Sequence, residues 1–277
     1  MAAPPAEFTP PRFNPYGYVP SKPASIAFIA LFGITTIAHL GQTLFSRRRV
    51  WWTLVFTAGG LMEIIGWIGR LQSSSDPYSS NAFVMQIVTL VIAPAWLSAG
   101  CYQVTGSLIY RIGREGSPLS ARAYTIIFVL CDVVSIMLQS AGGAAAGNDA
   151  RAGRSPDKGR LLLLAGVAFQ LVAMVIYLGL SLRFFKLRWM EFSPLRRRLI
   201  YGTIFGSLCI IVRGILRTTE LAEGWRGYIF IHETFTIFLD GLPILLCMIG
   251  FNVVHPAYTL DADDSKLSSQ EKGNEPV

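Results

Sequence analysis

The segment 212–243 reads VRGILRTTELAEGWRGYIFIHETFTIFLDGLP. Two apolar runs, separated by the polar link Ala222 to Gly227, carry five charged side chains between them. Arg213, Arg217 and Glu220 follow one another at spacings of four and three, which places all three on one face of a helix. Glu233 and Asp240 are seven apart, again one helical face. So short a link sets the two helices antiparallel and side by side. Each run is long enough to cross a bilayer, where one charge costs roughly 2.5–3.5 kcal/mol even on the mildest insertion scale. The five groups are therefore expected to turn away from lipid and pair with one another, forming a polar core that the other spans enclose.

The rest of the chain fits that reading. Hydrophobic residues make up 52% of the 277 positions and charged residues only 15%, where soluble domains carry about 25% charged. The apolar residues come in blocks as long as a membrane crossing. Seven spans are predicted, near 24–45, 50–68, 83–110, 123–144, 161–185, 199–221 and 228–254, with Pro94 expected to kink the third. The fold class is all-α: a polytopic, seven-transmembrane helix bundle over 24–254. A segment 1–23 precedes it, and a polar tail 255–277 follows that is expected to be disordered.

Orientation follows from basic residues. The first, third and fifth connections and the tail together hold fourteen Lys and Arg, among them Arg47, Arg111, Arg188 and Arg196. The opposite side holds eight, four of them between Gly147 and Arg160. The positive-inside rule then puts the N-terminus outside and the C-terminus in the cytoplasm. The net charge of +7 belongs to these loop ends, and no basic, aromatic groove for nucleic acid is visible. Cys101, Cys131, Cys209 and Cys247 all fall within spans and show neither zinc spacing nor a disulfide framework. Nothing in the N-terminal stretch 1–21 reads as a cleaved signal peptide.

Three other spans contribute polar groups. Glu63 lies well inside the second, with Trp67 and Arg70 expected at its outer interface and Gly59, Gly60, Gly66 and Gly69 offering flat surfaces for close helix approach. Asp132, Ser135 and Gln139 form a stripe on the fourth at spacings of three and four. At about 1.5 Å per residue, Asp132 and Asp240 come near mid-membrane, with Arg213 and Glu63 at similar depths nearer the outer face. Glu63, Asp132, Asp240 and Arg213 are thus expected to line one buried site; a static salt-bridge scaffold is the alternative. His39 and Gln42 sit near the inner end of the first span, where an imidazole shuttles protons or simply packs. His39, His232 and His255 are too far apart to share one metal. No phosphate-binding glycine loop, hydrolase elbow or metallohydrolase pair is present, so neither cofactor nor metal nor enzymatic chemistry is expected.

Taken together these motifs resemble the fungal lipid-translocating exporter family, known for resistance to 7-aminocholesterol and other amphipaths. The likeness runs from Tyr16-Gly17-Tyr18 through His39 and Gln42, then Glu63-x-x-Gly66-Trp67-x-Gly69-Arg70 and Ala93-Pro94-Ala95 with Tyr102. It continues in Asp132-Val-Val-Ser135-x-x-x-Gln139-x-x-Gly142-Gly143, with Gly166 and Gln170. It ends in Arg213-x-x-x-Arg217-x-x-Glu220, Gly224, Gly227, Glu233, Asp240 and His255-Pro256. Leu216, Ile237 and Trp67 stand where the family pattern carries tyrosine. The resemblance implies a plasma-membrane protein that moves or senses sphingoid long-chain bases, phospholipids or sterol-like toxic compounds, as an exporter or as a seven-span lipid sensor. It also implies a part in drug resistance and stress response. The acids would suit a cationic head group, and Arg213 and Arg217 a phosphate.

Overall fold

The computed structural model describes residues 16, 18–46, 50–151, 155, 157–224 and 227–260. Six long helices come first: α1 (Lys22–Leu44), α2 (Leu54–Ser75), α3 (Ser80–Ile112), α4 (Ala121–Arg151), α5 (Asp157–Leu187) and α6 (Pro194–Glu223). The seventh crossing is built from pieces: α7 (Tyr228–Ile231), α8 (Glu233–Phe235), a π-helical turn Thr236–Gly241 and α9 (Leu242–Val253), with helix again over 256–260. Seven helical stretches are long and apolar enough to cross a membrane. Their outer faces are apolar throughout, as in Ile34, Ile37, Met137 and Ile176, each more than half exposed. That pattern belongs to a bundle surrounded by lipid.

Sequence-local chemistry sets the ends. The Ser21, Ser79 and Ser193 hydroxyls accept the first free amides of α1, α3 and α6. Gly113 and Gly224 close α3 and α6 at φ +104° and +93°, a left-handed backbone that side chains disfavour. From the neighbouring helix, Arg160 of α5 donates to the Leu221 and Ala222 carbonyls at the end of α6. At the other end of the bundle Arg188 pairs with Glu115 and Glu191, tying two connections together.

Consecutive helices pack as neighbours, and α9 returns to α1 to close the ring; α3 also touches α6 across it. Small residues govern the approaches. Gly59, Gly66 and Gly69 lie against α3, where a Cβ on Gly69 would meet the Ala82 carbonyl at 2.9 Å. On α4, a Cβ at Gly142 would meet Gly159 O at 2.7 Å and Leu163 N at 2.6 Å, so α4 and α5 touch backbone to backbone.

Two expectations are corrected. The second span does not end at Ile68; it continues two turns to Ser75, because the segment before α1 covers its polar end. The seventh is not one helix. His232 is extended (φ −109°, ψ 106°), and the π turn widens the register just before Pro243. Pro243 has no N–H for the Leu239 carbonyl and its ring crowds that oxygen; a wider turn relieves both. The basic residues Arg47, Arg48, Arg49, Arg154, Arg226, Lys266 and Lys272, and the tail 261–277, lie outside the described residues.

Candidate functional site

The centre of the bundle holds one ion cluster. Arg217 grips Asp240 with two nitrogens, Nε to Oδ1 at 3.1 Å and Nη2 to Oδ2, and gives Nη1 to Glu220 at 3.0 Å. Arg213 Nε donates to the same Asp240 Oδ1, and its Nη2 donates to the Leu90 carbonyl of α3. Leu90 lies four residues before Pro94. A proline has no N–H to return to that carbonyl, so Pro94 leaves an oxygen in mid-helix that Arg213 fills. The proline read from sequence as a kink thus also supplies a hydrogen-bond acceptor for α6, and α3 remains helical through it.

Glu63 joins this cluster from α2. It is 1% exposed, and Arg213, Arg217 and Asp240 bear on its carboxylate electrostatically. Its Oε1 has no hydrogen-bond partner among the described residues; the Trp67 indole is near but makes no hydrogen bond of ordinary geometry. Glu63, Arg213, Arg217, Glu220 and Asp240 therefore come together from α2, α6 and the π turn.

Asp132 does not join them. It is 3% exposed on α4, and neither carboxylate oxygen has an ion pair or a hydrogen bond of ordinary geometry among the described residues. Around it lie Tyr102 and Gln170, with the unpartnered Ser98 and Ser135 hydroxyls on α3 and α4. Gln139 donates to Gln170 at 3.4 Å. Depth alone had placed Asp132 with Asp240; it missed that the stripe of α4 looks toward α3 and α5.

Glu233 is also elsewhere. The break at His232 takes it off the face of Asp240, and it pairs with Arg70 of α2 at 2.9 Å while accepting the Ser21 amide at 2.8 Å. Arg70 also donates to the Tyr18 hydroxyl at 2.7 Å. Next to them the Tyr16 hydroxyl lies 2.8 Å from both Ser73 Oγ and Gln86 Oε1, its single proton shared between the two acceptors. Burial pushes the Tyr16 phenol up to about 12. Arg70 and Trp67, read as interfacial anchors, are both fully buried, with Trp67 stacked on Phe28 at 4.1 Å. His39 belongs to neither group: its Nε2 meets the Met248 carbonyl at 3.1 Å and its ring lies 5.4 Å from His255. His232 is remote from both, at the Tyr228 end.

A cleft between α3, α4, α5 and α6 opens beside the arginines of the ion cluster. Arg213, Arg217 and Glu220 form one wall, Gln139 and Gln170 face them, and Leu163, Val167 and Ile210 supply apolar surface. Its volume of about 80 Å³ admits a few waters or a short run of methylenes. Among the described residues no three His, Cys, Asp or Glu side chains gather to hold a metal.

Seven apolar crossings around buried ion pairs define a multi-pass integral membrane protein. The chain belongs to the RTA1 like protein family, whose pattern matches residues 56–263. Protoporphyrin uptake protein 1 of Saccharomyces cerevisiae is 32% identical over 86% of this chain and 90% of its own length. The sphingoid long-chain base transporter RSB1 of the same yeast is 29% identical over 91% of this chain and 75% of its own. Protein RTM1, also from that yeast, is 31% identical over 86% and 90%. No solved structure matches.

Proposed function

We propose that this protein translocates amphipathic molecules of the lipid class, with the cleft between α3, α4, α5 and α6 as the passage for the polar head. The observation that carries this is the composition of that cleft: a guanidinium and carboxylate wall, an amide pair opposite, and apolar side chains between them. A head group finds hydrogen-bonding partners there while its tail stays in the bilayer, so no wide aqueous channel is needed. Relatives described as a sphingoid long-chain base transporter and a protoporphyrin uptake protein support cargo of this kind. Sphingoid bases, phospholipids and sterol-like toxic compounds are the substrates we infer. Movement without bond cleavage is the whole reaction, and the plasma membrane is its place.

A cleft of about 80 Å³ is far smaller than such a cargo, so the bundle must open between α4 and α6 during passage. Reconstitution tests the reading. Purified protein in liposomes is expected to speed the exchange of a fluorescent long-chain base between leaflets, and Arg217→Gln to slow it. Binding of the base with no acceleration of its exchange would instead mark a seven-span lipid sensor.

A further inference from the structure

Two buried acids have no ion pair among the described residues: Glu63, which lies in the field of Arg213 and Arg217, and Asp132, which has no arginine near it. Asp240 is held by two arginines and Glu220 by one, so neither can release its partner to a positively charged guest without exposing a guanidinium. Asp132 has no such partner. Both its oxygens are buried and unmatched, on a side chain 3% exposed. A carboxylate anion so placed is strongly disfavoured, because burial strips its hydration and nothing replaces it. A positive partner has to occupy the site.

The surroundings define what that partner is. Cys101 and Tyr102 of α3 and Cys131 of α4 are the titratable groups that face Asp132. From α5 come the Gln170 amide and the Met174 sulfur, the latter 3.7 Å from the Tyr102 hydroxyl. Among the described residues no lysine, arginine or histidine reaches it. Gln170 and Met174 also line the cleft, so they separate Asp132 from the end of the passage by one layer of side chains.

Resting on the translocator reading above, we propose that Asp132 is a single exchange site for positive charge, taken in turn by a proton and by the ammonium group of a cationic amphipath. One site cannot hold both. When the ammonium arrives the proton leaves the carboxyl oxygen for water, and when a proton returns the ammonium is released. The charge inside the bundle is the same in both states, so the loaded protein crosses its conformational change without burying an unmatched ion. A proton gradient then drives the cargo in the opposite direction.

The test uses the purified full chain and hexadecyltrimethylammonium below its micelle-forming concentration, a cation that has no proton of its own to shed. In weakly buffered solution, the wild-type protein is expected to release about one proton for each cation bound. Asp132→Asn is expected to release none and to bind at least about tenfold more weakly, with Asp132→Glu restoring the release. Asp132 has no ion pair and no hydrogen bond of ordinary geometry among the described residues, and an asparagine can still accept from Tyr102 and Gln170 beside it, so the Asn variant is expected to fold; unchanged thermal unfolding in detergent checks this. Equal proton release from wild type and Asp132→Asn overturns the proposal, as does wild-type binding without release. In liposomes, uptake of a fluorescent long-chain amine is expected to follow an imposed pH difference; uptake that follows a sodium difference instead overturns the proton half of the exchange. Wild-type flux from Asp132→Asn sinks the exchange site and leaves the translocator standing. No flux from the wild-type protein sinks the translocator, while proton release still decides the binding site.

Discussion

Arg217 places three nitrogens on three carboxylate oxygens, a geometry that only a planar fork provides. Arg217→Lys retains the charge yet cannot bridge both Asp240 oxygens and reach Glu220 together. It is expected to lower leaflet exchange about tenfold, the factor given by roughly 1.4 kcal/mol, while folded yield stays near wild type. Asp240→Asn is the harsher change, since it leaves the buried Arg213 with no carboxylate and Arg217 with Glu220 alone. Breaking a buried pair costs about 3–5 kcal/mol, so thermal unfolding in detergent should show a large loss. Glu63→Gln removes a carboxylate whose Oε1 has no partner, and its stability is expected to stay within about 1 kcal/mol of wild type. Equal destabilisation by the two neutralising changes would show that Glu63 carries structural load as well. The arginines and acids of 213–240 were legible in the sequence because a charge in an apolar run has few tolerable fates. The identity of their partners was not: helical spacing fixes a face of one helix, never the face of its neighbour. Asp132 shows the limit, having the right depth and the wrong direction.

The seventh crossing makes the same point for elements. A spacing of seven reads as one helical face only while the helix is regular, and the extended His232 and the π turn separate Glu233 from Asp240. The local signal for this break is Pro243, which denies the helix a regular turn at Leu239. Pro243→Ala restores the missing N–H and removes the crowding at Leu239. The turn is then expected to tighten, rotating Asp240 away from Arg213 and Arg217, with leaflet exchange reduced on the order of tenfold in a protein that still folds. A wild-type rate would mean that the wide turn is set by something other than the proline. The α4–α5 pair is a simpler case. Gly142→Ala drives a methyl against the α5 backbone and is expected to cost about 1–3 kcal/mol, measurable as a lower unfolding temperature.

At the scale of the molecule, the segment before α1 works as a clasp. Through Tyr16, Tyr18 and Ser21 it joins α2, α3 and the start of the seventh crossing. Tyr16 gives that clasp a pH signature. Its phenol is pushed up to about 12 by burial, against about 10 in the unfolded chain, so the folded state holds the proton more tightly. The stability this confers is complete below about pH 10 and is lost as the pH rises toward about 12. Stability, read from thermal unfolding, is therefore expected to fall across that window by up to roughly 3 kcal/mol more in wild type than in Tyr16→Phe. The aromatic motif of the N-terminal segment was visible in the sequence; its fully buried seat was not, because nothing local announces that a polar helix end has a lid.

The oxygen that Pro94 leaves open and Arg213 closes binds two distant positions into one inheritance. Restore an ordinary residue at 94 and the arginine loses its berth on α3; remove the arginine and the proline leaves a peptide oxygen in mid-helix without its protein donor. Neither is a sensible first step alone. Relatives that lack one of the two should be found to lack the other.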